Sequence, residues 1–147
     1  VTVCIIGCGH PDRGDDAAGL LVARRLRELG IEAREHSGEA LELLEAWSGA
    51  DRVILIDAVC TGSPAGAVSV WEGWSAPVAG ETFRCSTHAL GLAEAIALAR
   101  LLDRMPPHLR IYGIEGGQFG CGAKPSPEVV AAVEFVARTI AREVRSL

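Results

Sequence analysis

Two carboxylates, Asp15 and Asp16, close a glycine-rich stretch, Gly7-Cys8-Gly9-His10-Pro11-Asp12-Arg13-Gly14-Asp15-Asp16-Ala17-Ala18-Gly19, that follows an apolar run from Val1 to Ile6. Another carboxylate, Asp57, ends the run Val53-Ile54-Leu55-Ile56, and an imidazole, His88, opens a long apolar segment. In open α/β sheets ligands lie beyond the carboxyl ends of the strands, where the pattern places Asp16, Asp57 and His88. Two carboxylates and one imidazole would supply part of the coordination sphere of a divalent transition metal and leave positions open for water or substrate. Each residue also has an ordinary reading. Asp15 reads as an N-cap, Asp16 as a residue matched to the helix dipole, Asp57 as a cap at a strand end and His88 as a local hydrogen-bonding group at a helix start. Their convergence at one end of a sheet favours a site.

The glycines at 7, 9 and 14 allow a sharp turn and a close approach to whatever sits beside the loop. The dinucleotide fingerprint needs a further glycine where this chain has Asp12, and a phosphate-binding loop ends in Gly-Lys-Ser/Thr rather than in two acids that would repel phosphate. Nucleotide binding is therefore a minor alternative. Three neighbours of the site are ambiguous. His10 reads as a loop hydrogen-bonding residue that could instead add a ligand or carry a proton. Cys8 and Cys60 read as buried fillers, although a thiolate at either place would shift the metal preference toward soft ions.

The elements that must position these groups follow from periodicity. After the first strand, Asp16 to Leu29 carries the stripe of a half-buried helix, ended by Gly30. Ile31 to Glu35 reads as a short strand and Glu39 to Trp47 as a helix with Leu41, Leu44 and Trp47 available for burial. The run from Val53 lacks alternation, so it predicts a central strand covered on both faces and ending at Asp57. Ala67 to Glu72 alternates like a strand near an edge, where an antiparallel strand can be added, and Gly73 to Thr87 reads as a long functional loop. His88 to Leu102 predicts a helix buried round most of its circumference or placed at a subunit contact, capped by Ser86 or Thr87. Leu109 to Ile114 is the last strand, and Gly116 to Lys124 a glycine-rich loop that should border the same cleft as 73–87. Ser126-Pro127-Glu128 starts the final helix, with Val129, Val133, Val136, Ile140 and Val144 on one face. The alternation of strands and helices predicts an α/β fold of three layers, a mostly parallel twisted sheet with helices on both faces.

At 147 residues, 49% hydrophobic and 22% charged, the chain fits a single domain over 1–147. A net charge of −5 without a basic cluster argues against nucleic acid. No apolar run reaches membrane-spanning length and the N-terminal residues are already strand-like, so the expected location is cytoplasmic. The five cysteines lack CxxC spacing, which predicts reduced thiols rather than a disulfide framework or zinc knuckle.

These residues resemble the endopeptidases that mature the large subunit of nickel-iron hydrogenases. The likeness is carried by the Gly7 to Gly19 opening, Ile56-Asp57-Ala58, the Ser86 to Leu92 helix start, Gly113-Ile114-Glu115 and Pro125-Ser126-Pro127-Glu128, in order along nearly the whole chain. It departs at His10, where the family usually has Asn. The resemblance implies that Asp16, Asp57 and His88 contact metal, and that the metal is nickel already installed in the hydrogenase large-subunit precursor. The implied reaction removes a short C-terminal extension once nickel is bound. A metal-polarised carbonyl or metal-bound water, with Asp16 or Asp57 as base, is chemically reasonable. The chain carries no His-Glu-x-x-His helix, Gly-x-Ser-x-Gly elbow or Cys-His protease signature to name a standard nucleophile. The competing reading is a nickel-checking escort that binds the precursor without cutting it. Which hydrogenase is the substrate, and the oligomeric state, stay open at this level.

Overall fold

The structure, a computed structural model, describes residues 1–75 and 89–147. The unbroken apolar run at Val53 needs cover on both faces, and it becomes the middle of a five-stranded sheet. Strand β3 (Arg52–Val59) lies between β1 (Val3–Cys8) and β5 (His108–Glu115), with β2 (Arg34–His36) outside β1 and β4 (Val68–Glu72) outside β5. The β1–β2, β1–β3 and β3–β5 ladders are parallel, and β4 runs antiparallel on β5, as its half-polar alternation predicts for an edge.

Helices cover both faces. Ile54, Ile56 and Ala58 pack toward α1 (Ala18–Glu28) and α4 (Pro127–Arg145), while Val53, Leu55 and Val59 pack toward α2 (Ala40–Ala46) and α3 (Ala89–Leu101). The three-layer α/β architecture is thus the one expected. The two-residue period of the strand puts Asp57 on the α2 and α3 side with Leu55 and Val59. Helix α4 buries Val129, Val133, Val136 and Ile140, and Val144 packs partly buried against the same cluster.

Several boundaries differ for physical reasons. β3 runs on through Asp57 to Val59 because β5 pairs with it as far as Val59 opposite Glu115, so Asp57 sits inside a strand rather than at its end. Asp15 and Asp16 lie in a 3-10 turn, Gly14–Ala17, ahead of α1. Leu41 is 60% exposed and Leu43 takes its core place. The Glu39 carboxylate accepts from Leu41 N and Glu42 N and starts α2 at Ala40, which sets the helix face. Of α3, residues Leu92, Ala93, Ala95, Ile96 and Ala99 are buried, whereas Glu94, Ala97 and Leu101 are exposed. Cys4, Cys8 and Cys121 are free, but Cys60 is disulfide-bonded, which corrects the expectation of five reduced thiols and of Cys60 as a filler. An odd count leaves thiols over without forbidding a single pair. Gly73–Ser75 forms a 3-10 turn; the rest of the expected loop, 76–87, lies outside the described residues, as does His88.

Candidate active site

The glycines of the opening stretch bring backbone against backbone. A Cβ on Gly19 would lie 2.2 Å from the Cys8 carbonyl oxygen and 2.4 Å from that of Ile56, so the start of α1 presses directly on the ends of β1 and β3. Gly7 and Gly9 face the same helix entry, with the carbonyl oxygens of Gly19 and Asp16 2.0 and 2.1 Å from where a Cβ would stand. What the loop approaches closely is therefore its own chain. Gly19→Ala is expected to destabilise the protein by roughly 3 kcal/mol, because the obstacles are backbone atoms that cannot rotate away. Urea denaturation measures this, and a loss below about 1 kcal/mol would contradict the packing.

That packing sets Asp16 over the point where the sheet changes direction. From β1 the chain steps outward to β2 and then returns to β3 on the other side, so the crevice between the carboxyl ends of β1 and β3 is the topological switch point. The last pair of the β1–β3 ladder is Gly7 opposite Ile56, and Asp57 is the next residue, where β1 gives way to the loop.

Among the described residues four carboxylates are buried here, and their partners divide them in two. Asp15 and Glu115 are 0% and 3% exposed and fully engaged. Asp15 accepts from Gly117 N, Gln118 N and Ser126, and Glu115 accepts from the amide and hydroxyl of Thr61. Asp16 and Asp57 are 1% and 0% exposed, yet among the described residues neither oxygen of Asp16, nor Oδ2 of Asp57, has a hydrogen-bond partner. The remaining oxygen of Asp57 accepts from Ala58 N at 2.8 Å, the local bond its ordinary reading predicts. Burial first, and then the charge of Asp16, push the Asp57 carboxyl well above the usual carboxylate range. Buried carboxylate oxygens without donors are rare because each costs the lost hydration. A cation seated between the two side chains would relieve both the desolvation and the repulsion, so the donor set fits a divalent metal.

The neighbours resolve as follows. Cys8 is a fully buried free thiol, as the filler reading expects, and burial, with the charges of Asp57 and Asp16, pushes it well above its usual value. His10 Nδ1 accepts from Asp12 N at 3.1 Å, the loop bond expected of it. His36, the last residue of β2, also stands at this end of the sheet. Its carbonyl accepts from Gly9 N and its Nδ1 from Gly38 N at 2.8 Å, and burial lowers its pKa. The glycine-rich loop after β5 lies beside the aspartates, held through Asp15. Among the described residues no group of three or more His, Cys, Asp or Glu side chains converges to hold a metal. The structure thus brings Asp16 and Asp57 together, and His88 lies outside the residues it describes.

Missing from the residue-by-residue reading were the roles of Asp15 and Glu115. All four carboxylates are buried alike, so only the donors on Asp15 and Glu115 distinguish them from Asp16 and Asp57, and the tandem Asp15-Asp16 does not say which of the two is held by donors.

Comparison with known proteins gives one consistent picture. A family model described as hydrogenase maturation protease matches residues 38–143. The hydrogenase expression/formation protein HupD of Thiocapsa roseopersicina is 24% identical over 150 residues, covering 92% of this chain and 68% of its own. HupD of Rhodobacter capsulatus is 23% identical over 98% of this chain and 71% of its own. Among solved structures, the hydrogenase maturating endopeptidase HybD from E. coli superposes with a TM-score of 0.85 at 20% identity, over 99% of this chain and 93% of that one. The [NiFe] hydrogenase maturation protease HybD from Thermococcus kodakarensis gives 0.75 at 26% identity, over 98% and 99%. These likenesses favour a peptidase over a nucleotide-binding domain or a non-cutting escort. No described helix is long and apolar enough to cross a membrane.

Proposed function

This chain belongs to the hydrogenase maturation protease family, and we propose that it is the endopeptidase that removes the C-terminal extension from a nickel-loaded hydrogenase large-subunit precursor in the cytoplasm, engaging the nickel through Asp16, Asp57 and His88. The observation that carries this reading is the trio of buried carboxylate oxygens on Asp16 and Asp57 that find no donor among the described residues. Nickel enters as part of the substrate, and when bound it supplies Lewis acidity next to the scissile bond.

The chain's own groups do the rest. Asp57, whose carboxyl is disposed to hold a proton while buried beside Asp16, gives that proton up when a cation arrives, as metal binding to a protonated ligand requires. The carboxylate not fully committed to the cation is then placed to take a proton from attacking water. The leaving amine needs a proton in return, so one carboxyl cycles between base and acid. Both aspartates are buried away from bulk water, which strengthens their interaction with charge in the cleft.

The direct test mixes the purified protein with a nickel-loaded precursor and follows the precursor's intact mass. The expected result is a single drop equal to the mass of the C-terminal extension. A stable complex with no change in mass would instead favour the escort.

A further inference from the structure

The neighbouring aspartates of the Gly14–Ala17 turn differ in what they hold, and the proposed reaction does not use Asp15. Its buried carboxylate takes donors from both ends of one loop. Gly117 N and Gln118 N lie 2.8 and 2.9 Å from Oδ2, Ser126 N lies 2.6 Å from Oδ1, and the Ser126 hydroxyl is 3.0 Å from each oxygen. Main-chain bonds lace the same two segments. Asp15 N donates to the Gln118 carbonyl at 2.7 Å, Gly14 N to that of Ala123 at 3.1 Å, and Gly122 N to that of Asp12 at 2.6 Å. Gly14 has φ +57° and no room for a side chain, since a Cβ would lie 2.2 Å from the Gln118 carbonyl oxygen. The loop 116–126 is thus closed at its base by one side chain, while Gln118, Gly120, Cys121 and Lys124 stay exposed.

Ser126 points the same way. A serine just before an N-terminal proline ordinarily caps its helix through the hydroxyl. Here the hydroxyl makes no capping bond to α4 and goes to Asp15 instead. The sequence gives up a helix cap to hold the loop.

We propose that Asp15 is a positioning residue for substrate: by clamping the 116–126 loop beside Asp16, it fixes one wall of the cleft that seats the precursor's C-terminal peptide. This role rests on the peptidase reading above. A segment carrying Gly116, Gly117, Gly120 and Gly122 would otherwise sample many conformations, and ordering it on binding would weaken substrate affinity. The clamp therefore acts on how tightly the peptide is held, and leaves bond breaking to Asp16 and Asp57.

Ser126→Ala is the decisive variant, because it removes the hydroxyl donor and keeps the amide. Asp15→Asn turns an N–H toward an N–H donor in a buried place and can cost the fold itself. With Ser126→Ala, KM for the nickel-loaded precursor should rise about three- to tenfold with kcat within about twofold. In the free protein the amides of Gly117 and Gln118 should exchange with deuterium at least about tenfold faster, without acceleration in β3. Ser126→Thr keeps a hydroxyl at the same place and should restore both quantities. A Ser126→Ala variant of an active protein that keeps its KM and its amide exchange, or that loses kcat alone, overturns the role of the clamp. A wild-type protein that leaves the precursor uncut sinks the peptidase reading and this role with it.

Discussion

Replacing Asp57 by Asn is expected to stop precursor processing and, at the same time, to make the metal-free protein more stable. The side chain keeps its shape and can still accept from Ala58 N through Oδ1. The change removes a carboxyl that the fold buries next to Asp16 with no donor on Oδ2 among the described residues, and with it the need either to bury a charge or to take up a proton on folding. Processing should fall by roughly 10²–10³-fold, the scale on which loss of one charged or polar group at a reacting centre is felt. Stability at neutral pH should rise by on the order of 1 kcal/mol, since a buried unpaired charge is costly and an amide is less so. The pH dependence has a definite sign. In the folded state burial and Asp16 raise the Asp57 pKa, so between the ordinary carboxylate range and that raised value the folded chain binds more protons than the unfolded one. Wild-type stability should therefore be greatest on the acid side of that window and decline as pH rises through it, and Asp57→Asn should flatten the decline. Denaturation at a series of pH values, with nickel chelated, measures both effects. A variant less stable than wild type at neutral pH would mean that Asp57 has a partner in the fold after all.

This result would also correct an inference that the sequence invites. Acidic residues at a cleft suggest solvent-lined side chains whose replacement leaves stability unchanged, yet Asp16 and Asp57 are buried, so activity and stability should move in opposite directions. How far the fold was legible depends on how local its causes are. The run Val53 to Ile56 announces a central strand because no half-exposed strand tolerates it. The spacing of Val129, Val133, Val136 and Ile140 announces the buried stripe of α4. Strand ends were less legible: β3 continues past Ile56 because β5 pairs with it, and no residue in β3 records that partner. In the site, Asp16 and Asp57 could be picked out because each follows an apolar run, and the switch point then explains why they meet. Asp15 could not be told from Asp16 in the sequence. The difference lies in donors supplied by Gly117, Gln118 and Ser126, over a hundred positions away.

Processing is expected to depend on nickel in the precursor, and the reason lies in the same unpaired oxygens. Asp16 and Asp57 oppose each other across a buried site, and a nickel-free precursor brings no cation to set against that repulsion or to replace the missing donors. Two carboxylates and the proposed imidazole of His88 are too few and too mixed in hardness to hold a free divalent ion tightly, so the protein alone should bind nickel weakly. With a precursor whose nickel already carries ligands, the aspartates would complete a coordination sphere instead of building one. Cleavage of the nickel-free precursor should then be at least roughly a hundredfold slower than that of the loaded form, the gap that about 3 kcal/mol of withheld cation–carboxylate interaction would produce. His88→Ala removes the imidazole and should slow cleavage of the loaded form while leaving the slow cleavage of the nickel-free form unchanged. Time courses of intact mass for both precursors, with wild type and His88→Ala, decide the matter. Equal rates on loaded and nickel-free precursor would show that the aspartates act on the peptide without reading its metal. Their missing donors would then have to come from the peptide backbone itself, whose amides are the other partners a buried carboxylate accepts.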